Sequence, residues 1–184
     1  TRSAERAQAM PPTEYARYSP TSEYKSLLSA STKKGIITKM KILIINGPNL
    51  NLLGLREPGI YGSRSLSELE ALCTDAVSGT GTDLAFFQSN HEGAIVDEIQ
   101  SAYGVFDGII INPAAYTHTS VAILDALKAV RLPTVEVHLS DISSREEFRR
   151  FSYVSLYAEK TICGKGFDGY TEAIAYLTEK YGKQ

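Results

Sequence analysis

The sequence predicts an α/β domain in which helices cover both faces of a parallel sheet. Three observations predict it. Short, wholly apolar runs recur along the chain, such as Ile42-Leu43-Ile44-Ile45 and Gly108-Ile109-Ile110-Ile111, as strands buried on both faces require. Between these runs, apolar residues fall three and four apart, the spacing of amphipathic helices. The two patterns alternate from Met40 onward, which is how a parallel sheet with crossover helices reads. No internal repeat is visible.

The elements follow in order. The first strand covers 42–45. Ser65-Leu66-Ser67-Glu68 is a capping box, and Leu66, Leu69, Leu72, Cys73 and Val77 then give one apolar helical face. Residues 83–88 read as the second strand, and 91–103 as a helix with Ala94, Ile95, Ile99 and Ala102 on one side. The third strand is 108–111. Val121, Leu124 and Leu127 mark a helix over 119–130. The fourth strand, 134–137, ends at His138. Ser143-Ser144-Arg145-Glu146 reads as a second capping box opening a short helix. A short fifth strand, 161–163, and a helix over 169–181 close the chain. Five strands joined by right-handed crossovers give a doubly wound, flavodoxin-like arrangement. Ligands of such sheets sit outside the carboxyl ends of the strands.

The chain has 184 residues, 43% of them hydrophobic, enough for one domain with its own core. No apolar run reaches the ~18 residues that suggest a membrane span, and no signal-peptide pattern is seen. Cys73 and Cys163 lie far apart without metal-type spacing, which fits a reducing compartment, the cytoplasm. A net charge of -2 gives no case for nucleic acid. Residues 1–39 carry seven Lys/Arg and three Asp/Glu, a net of +4, leaving -6 for 40–184. That first segment, rich in Ser, Thr, Pro and Ala, reads as a disordered tail. An appended stretch or a misplaced start is favoured over a targeting peptide, because of its three glutamates. The folded unit is expected over 40–184.

The richest loop follows the first strand. INGPNLNLLGLREPGIYG, residues 45–62, gathers Asn46, Asn49, Asn51, Arg56, Glu57 and Tyr61 with four glycines. A long connector so placed is usually functional. Free tyrosine ionises near pKa ~10, but a guanidinium against the phenol favours the phenolate. Arg56 beside Tyr61 would make a tyrosine base. The other strands are followed by Ser89-Asn90-His91-Glu92, by Asn112 through Ser120, and by His138-Leu139-Ser140-Asp141. The chain's three histidines all fall at these edges. Singly, each residue has a bland reading as a cap, a turn former or a solvated charge. Their convergence on one rim favours a site for a small polar molecule. Glu136 and His138, two apart, share one side of their strand. A carboxylate so placed supports an imidazolium and suits His138 to general-acid work, the alternative being a buried structural pair.

Other chemistries are disfavoured. The histidines lack the short spacing of a zinc site. GxGxxG and GxxxxGK[ST] are absent, and Ser89, Ser120 and Ser140 lack a nucleophile-elbow context. No lysine is expected on the rim for Schiff-base chemistry. A flavodoxin-like module that binds a small anion without chemistry, and an assembly protein, are the readings from other classes.

The segments INGPNLNLLGLREPGIYG, SNHEG, NPAAYTHTSVAILDA and VEVHLSDISSREEFRRFS, in that order and spacing, resemble the type II 3-dehydroquinate dehydratases across essentially all of 40–184. The resemblance implies a hydro-lyase of the shikimate pathway that needs no metal or cofactor. It converts 3-dehydroquinate to 3-dehydroshikimate by anti elimination through an enolate. Quinate catabolism by the same reaction is the alternative. It also implies trimers assembled into a dodecamer. Tyr61 matches the base and Arg56 the arginine that lowers its pKa and closes over the site. Asn49 matches the residue holding a water against the enolate oxygen, and His138 the general acid, with Glu136 behind it. Asn112, the Leu139 and Ser140 amides and the Ser140 hydroxyl match the carboxylate-binding group. His118 and Arg149 match residues that grip the ring hydroxyls, and Asp125 a carboxylate reaching a neighbouring subunit's site. Ala114-Ala115 stands where a glycine is common.

Overall fold

The computed structural model describes residues 40–55 and 64–182. The expected tail, 1–39, and the expected base and its partner, Tyr61 and Arg56, lie outside the described residues. Five strands form one parallel sheet: β1 (Met40–Asn46), β2 (Thr82–Gln88), β3 (Gly108–Asn112), β4 (Thr134–His138) and β5 (Lys160–Cys163). Their order is β2-β1-β3-β4-β5, the flavodoxin-like order expected from the sequence. Four α-helices are described: α1 (Leu66–Ala76), α2 (Glu92–Ser101), α3 (Val121–Val130) and α4 (Asp168–Tyr181).

Strand alternation divides the apolar runs between two cores. Ile42, Ile44, Ile110, Val135, Val137 and Ile162 join Leu69 and Cys73 of α1 and Tyr170, Ile174 and Leu177 of α4 in one cluster. Leu43, Ile45, Ile109 and Ile111 are as deeply buried and face the other way, towards the layer in which α2 and α3 pack on each other. That is why β1 from Ile42 onward and β3 throughout carry no polar residue until their last position. There the β1–β3 register sets Asn46 beside Asn112 at the carboxyl edge.

Local signals fix most boundaries. The first capping box forms as expected: Ser65 Oγ accepts from the Glu68 amide at 3.3 Å, and the Glu68 carboxylate accepts from the Ser65 amide at 2.7 Å. Ser120 caps α3 by accepting from the Ile123 amide at 3.0 Å, so that helix starts at Val121 and not at Thr119. The second capping box does not form. Asp141 accepts from the Ser143 amide at 2.9 Å and starts a single 3-10 turn, Ile142–Ser144. Arg145 is then extended, with φ -83° and ψ 178°, and a separate turn, Glu147–Arg149, follows. The aspartate two residues ahead captures the amide first, and no α-helix opens at Ser143.

The turn leaving β1 passes very close to the turn leaving β3. The Gly47 amide donates to the Asn112 carbonyl at 2.8 Å, and a Cβ on Gly47 would stand 2.4 Å from the Pro113 carbonyl oxygen. Both partners are backbone, so neither can turn aside. Gly47→Ala is expected to cost about 1–3 kcal/mol, as overpacking generally does. Urea unfolding measures it, and a variant as stable as the parent would contradict this close approach.

Candidate active site

A cavity of about 300 Å³ opens at the carboxyl edge of the sheet, where the strand-end loops meet. Its wall is built loop by loop. Pro48, Asn49 and Leu50 come from the turn after β1, Asn112, Ala114 and His118 from the turn after β3, and His138, Leu139 and Ser140 from the end of β4. Ile142, Arg145 and Arg149 close one side. The rim expected from the sequence is thus largely one surface. No lysine is among the described residues that line it.

The centre is a carboxylate–imidazole pair. His138 Nε2 lies 2.8 Å from Glu136 Oε1, with His138 only 5% exposed and Glu136 fully buried. A buried carboxylate survives only if it is well supplied with donors, and Glu136 is. Oε1 also accepts from the Thr117 hydroxyl at 2.5 Å and from Ser152 at 2.7 Å, and Oε2 accepts from Thr161 at 3.1 Å. Burial pushes the Glu136 carboxyl up. The hydrogen bond and charge of His138, aided by Thr117 and Ser152, outweigh it and hold the group below the usual carboxylate range. Its contribution to stability is therefore complete above the unfolded carboxylate value and lost as pH falls through the lower folded value. An ionised Glu136 only accepts hydrogen bonds, so His138 Nε2 carries a proton. The exchangeable position of the ring is Nδ1.

The other residues are oriented by their neighbours. Asn49 adopts a left-handed conformation, φ 67°, which asparagine tolerates better than most residues. Its amide donates to Asn90 Oδ1 at 2.8 Å, pinning the loop. His118 Nδ1 stands 2.7 Å from the Phe151 carbonyl. A carbonyl cannot donate, so Nδ1 holds the proton and Nε2 of the neutral ring is an acceptor. Ser140 Oγ accepts from Arg145 Nη2 at 2.8 Å, which leaves the Ser140 proton free to donate. Arg149 faces Glu146 across 3.6 Å at the surface, a weak contact of the kind that exchanges readily.

Some site features were not read from the sequence. The sequence pattern places Arg145 in a helix start, and its extended backbone instead returns it to the cavity. Asn90, behind Asn49, and Thr117, beneath Glu136, stand in strand-end runs placed on the rim, but nothing local gives them those roles, and Ser152 and Thr161 carry no such placement. The only sequence signal is a buried carboxylate's need for donors. His91 begins α2 and stays exposed, without lining the cavity. Asp125 is exposed on α3 and does not line the cavity either.

A doubly wound sheet with a carboxylate-backed histidine at its carboxyl edge defines an α/β protein equipped for proton transfer on a small polar ligand. Comparison with known proteins specifies it further. The model of the family described as Dehydroquinase class II matches residues 40–178, and the chain belongs to that family. It is 56% identical over 131 residues to the 3-dehydroquinate dehydratase of Geotalea daltonii, covering 71% of this chain and 91% of that protein. It is also 56% identical over 136 residues to the catabolic 3-dehydroquinase of Verticillium alfalfae, covering 74% and 91%. The crystal structure of the type II dehydroquinase from Butyrivibrio crossotus superposes with a TM-score of 0.74 at 48% identity, covering 76% of this chain and 97% of that one. The family and these relatives are dehydratases, and hence hydro-lyases.

Proposed function

We propose that this protein removes water from 3-dehydroquinate to give 3-dehydroshikimate. The observation that carries the reading is the buried Glu136–His138 pair at the mouth of a cavity lined with donors suited to a polyhydroxylated acid. Family membership gives the substrate. Tyr61, as phenolate beside Arg56, takes a proton alpha to the ring ketone. The C–H electron pair moves into an enolate, whose oxygen faces a water held by Asn49. The enolate then reforms the ketone while the carbon–oxygen bond to the tertiary hydroxyl breaks. His138 Nδ1 supplies the proton that makes the leaving group water, and Glu136 stabilises the imidazolium in advance. Proton transfer of this kind contributes about 10²–10⁴-fold. The Leu139 and Ser140 amides, the Ser140 hydroxyl and Asn112 hold the carboxylate. His118 Nε2 and Arg149 hold the ring hydroxyls. The ketone itself stabilises the carbanion, so the sequence requires no metal, cofactor or lysine.

The test is the rise of conjugated-enone ultraviolet absorbance on adding 3-dehydroquinate to the whole chain. No rise would reject the reading. An equal rate from residues 40–184 alone would place 1–39 outside the catalytic unit. We assign the reaction to aromatic biosynthesis in the cytoplasm. The alternative role is quinate breakdown, a catabolic role such as the name of the Verticillium alfalfae relative carries. Loss of growth on quinate after gene deletion would select it.

Arg56→Ala should slow turnover and move the rise of activity with pH upward, because the phenolate loses its counter-charge. A pH–rate profile with an unshifted limb would mean that Arg56 does not tune Tyr61.

The proposed assembly is a dodecamer of trimers in which Asp125 reaches an adjacent site. Its exposure on α3, away from its own chain's cavity, supports this. Asp125→Ala should lower turnover. Subunit exchange with Tyr61→Phe should restore part of it, since a mixed trimer can hold one site with both residues intact. Exchange confirmed by native mass spectrometry without recovered activity would place Asp125 within its own chain.

A further inference from the structure

Beneath the cavity lies a row of three polar side chains that the proposed reaction does not use as acids or bases. Asn112 lines the cavity at the end of β3. Below it the hydroxyl of Tyr170, in the first turn of α4, is completely buried, and beyond that lies Asn46 at the end of β1, 1% exposed. Asn112 Nδ2 is 2.9 Å from Tyr170 Oη, and Tyr170 Oη is 2.6 Å from Asn46 Oδ1.

One backbone amide fixes the direction of every bond in the row. The Ala114 N–H can only donate, and it points at the Asn112 side chain at 3.2 Å. The atom there must be the acceptor, Oδ1. The other end of the amide, Nδ2, therefore faces Tyr170 and donates to its oxygen. Having accepted, Tyr170 must direct its own proton onward, to Asn46 Oδ1. Burial pushes the Tyr170 phenol well up from its usual range, so that proton stays in place at any pH the enzyme meets. Asn46 is left with its Nδ2 buried and without a hydrogen-bond partner among the described residues. Buried unpaired donors are rare because they are costly. The row keeps one, and the reverse orientation of Asn46 would set two donors against each other at Tyr170.

We propose that Tyr170, backed by Asn46, is a positioning residue that, with the Ala114 N–H, pins the Asn112 amide with one Nδ2 proton toward the cavity, and so favours a ligand bearing a carboxylate at that point. With Oδ1 taken by Ala114 and one Nδ2 proton taken by Tyr170, the second Nδ2 proton is what remains for a ligand. An anionic acceptor fits it. A primary carboxamide, with one acceptor oxygen where a carboxylate has two, meets these donors less well. This rests on the dehydratase reading for the identity of the carboxylate's owner.

The substrate carboxylate is not altered during the elimination, so a group that grips it contributes equally to ground state and transition state. Losing such a grip raises KM and spares kcat. In Tyr170→Phe the ring still fills its place in the core, but the Asn112 amide keeps only the Ala114 N–H as an anchor and its Nδ2 end can swing away from the cavity. The expected result is a KM for 3-dehydroquinate raised about 10-fold, the scale of one hydrogen bond to a charged group, with kcat changed less than about threefold. A second readout addresses direction itself. The 1-carboxamide analogue of 3-dehydroquinate, measured as a competitive inhibitor, should lose less affinity than the carboxylate does, so that discrimination between the two falls. A purely structural role for Tyr170 would weaken both ligands equally. Asn46→Leu, which removes the acceptor for the Tyr170 proton, should give the same change in discrimination and serves if Tyr170→Phe does not fold. An unchanged preference for carboxylate in whichever variant folds, beside normal enone formation by the parent, would overturn the inference. Absence of enone formation by the parent would instead overturn the dehydratase reading.

Discussion

Tyr61→Phe should lower turnover by about 10²–10⁴-fold, the contribution of a positioned base, with the fold unchanged. The change removes one oxygen and no packing volume. Tyr61 is the residue matching the base, and the described lining residues have other partners or assigned roles. Glu136 is spent on His138, Thr117, Ser152 and Thr161, and His118, its Nδ1 held by the Phe151 carbonyl, is assigned through Nε2 to the ring hydroxyls. Enone formation measured by ultraviolet absorbance, with circular dichroism to check the fold, gives the answer. Activity above about a tenth of the parent's would place the base elsewhere, since that loss falls short of the range for a positioned base.

His138→Ala should be nearly as damaging, but at a different step. The variant keeps the groups assigned to enolate formation and loses the proton donor for the hydroxyl. It also leaves Glu136 buried with one charged partner fewer, which is destabilising in its own right, so thermal unfolding must accompany the kinetics. The separating experiment is exchange of the alpha hydrogen with deuterated solvent, followed by NMR. Exchange should persist while dehydration falls by about 10²-fold or more. An equal fall in both would mean that His138 is needed for proton abstraction.

Much of the fold was legible because parallel strands buried on both faces leave a plain record. Ile42–Ile45 and Gly108–Ile111 admit few other readings, and the alternation with helical periods determined the layer order. The structure extends most strands by one or two residues, to Met40, Asn46, Thr82, Asn112 and Lys160, where the residue type at a strand end carries little signal. Ser143 misled because a capping box is a local pattern, and Asp141 satisfies the same amide from two residues earlier. The site was legible where residues directly follow strands, as at Asn112, His138 and Leu139. It was not legible where function depends on contacts between distant segments. Thr117, Ser152 and Thr161 meet under Glu136 from three separate parts of the chain, and Tyr170 is 58 residues from Asn112. Arg145 enters the cavity only through an extended backbone that its sequence does not announce.

In the proposed mechanism a base and an acid act on opposite faces of one ring through an enolate. The most direct measurement uses 3-dehydroquinate carrying deuterium stereospecifically at the methylene between the ketone and the tertiary alcohol. The hydrogen removed should be the one anti to the departing hydroxyl, so substrate labelled at that position gives unlabelled product and shows a primary isotope effect. Loss of the syn hydrogen, with the anti label retained in the product, would contradict the assignment of Tyr61 and His138 to opposite faces.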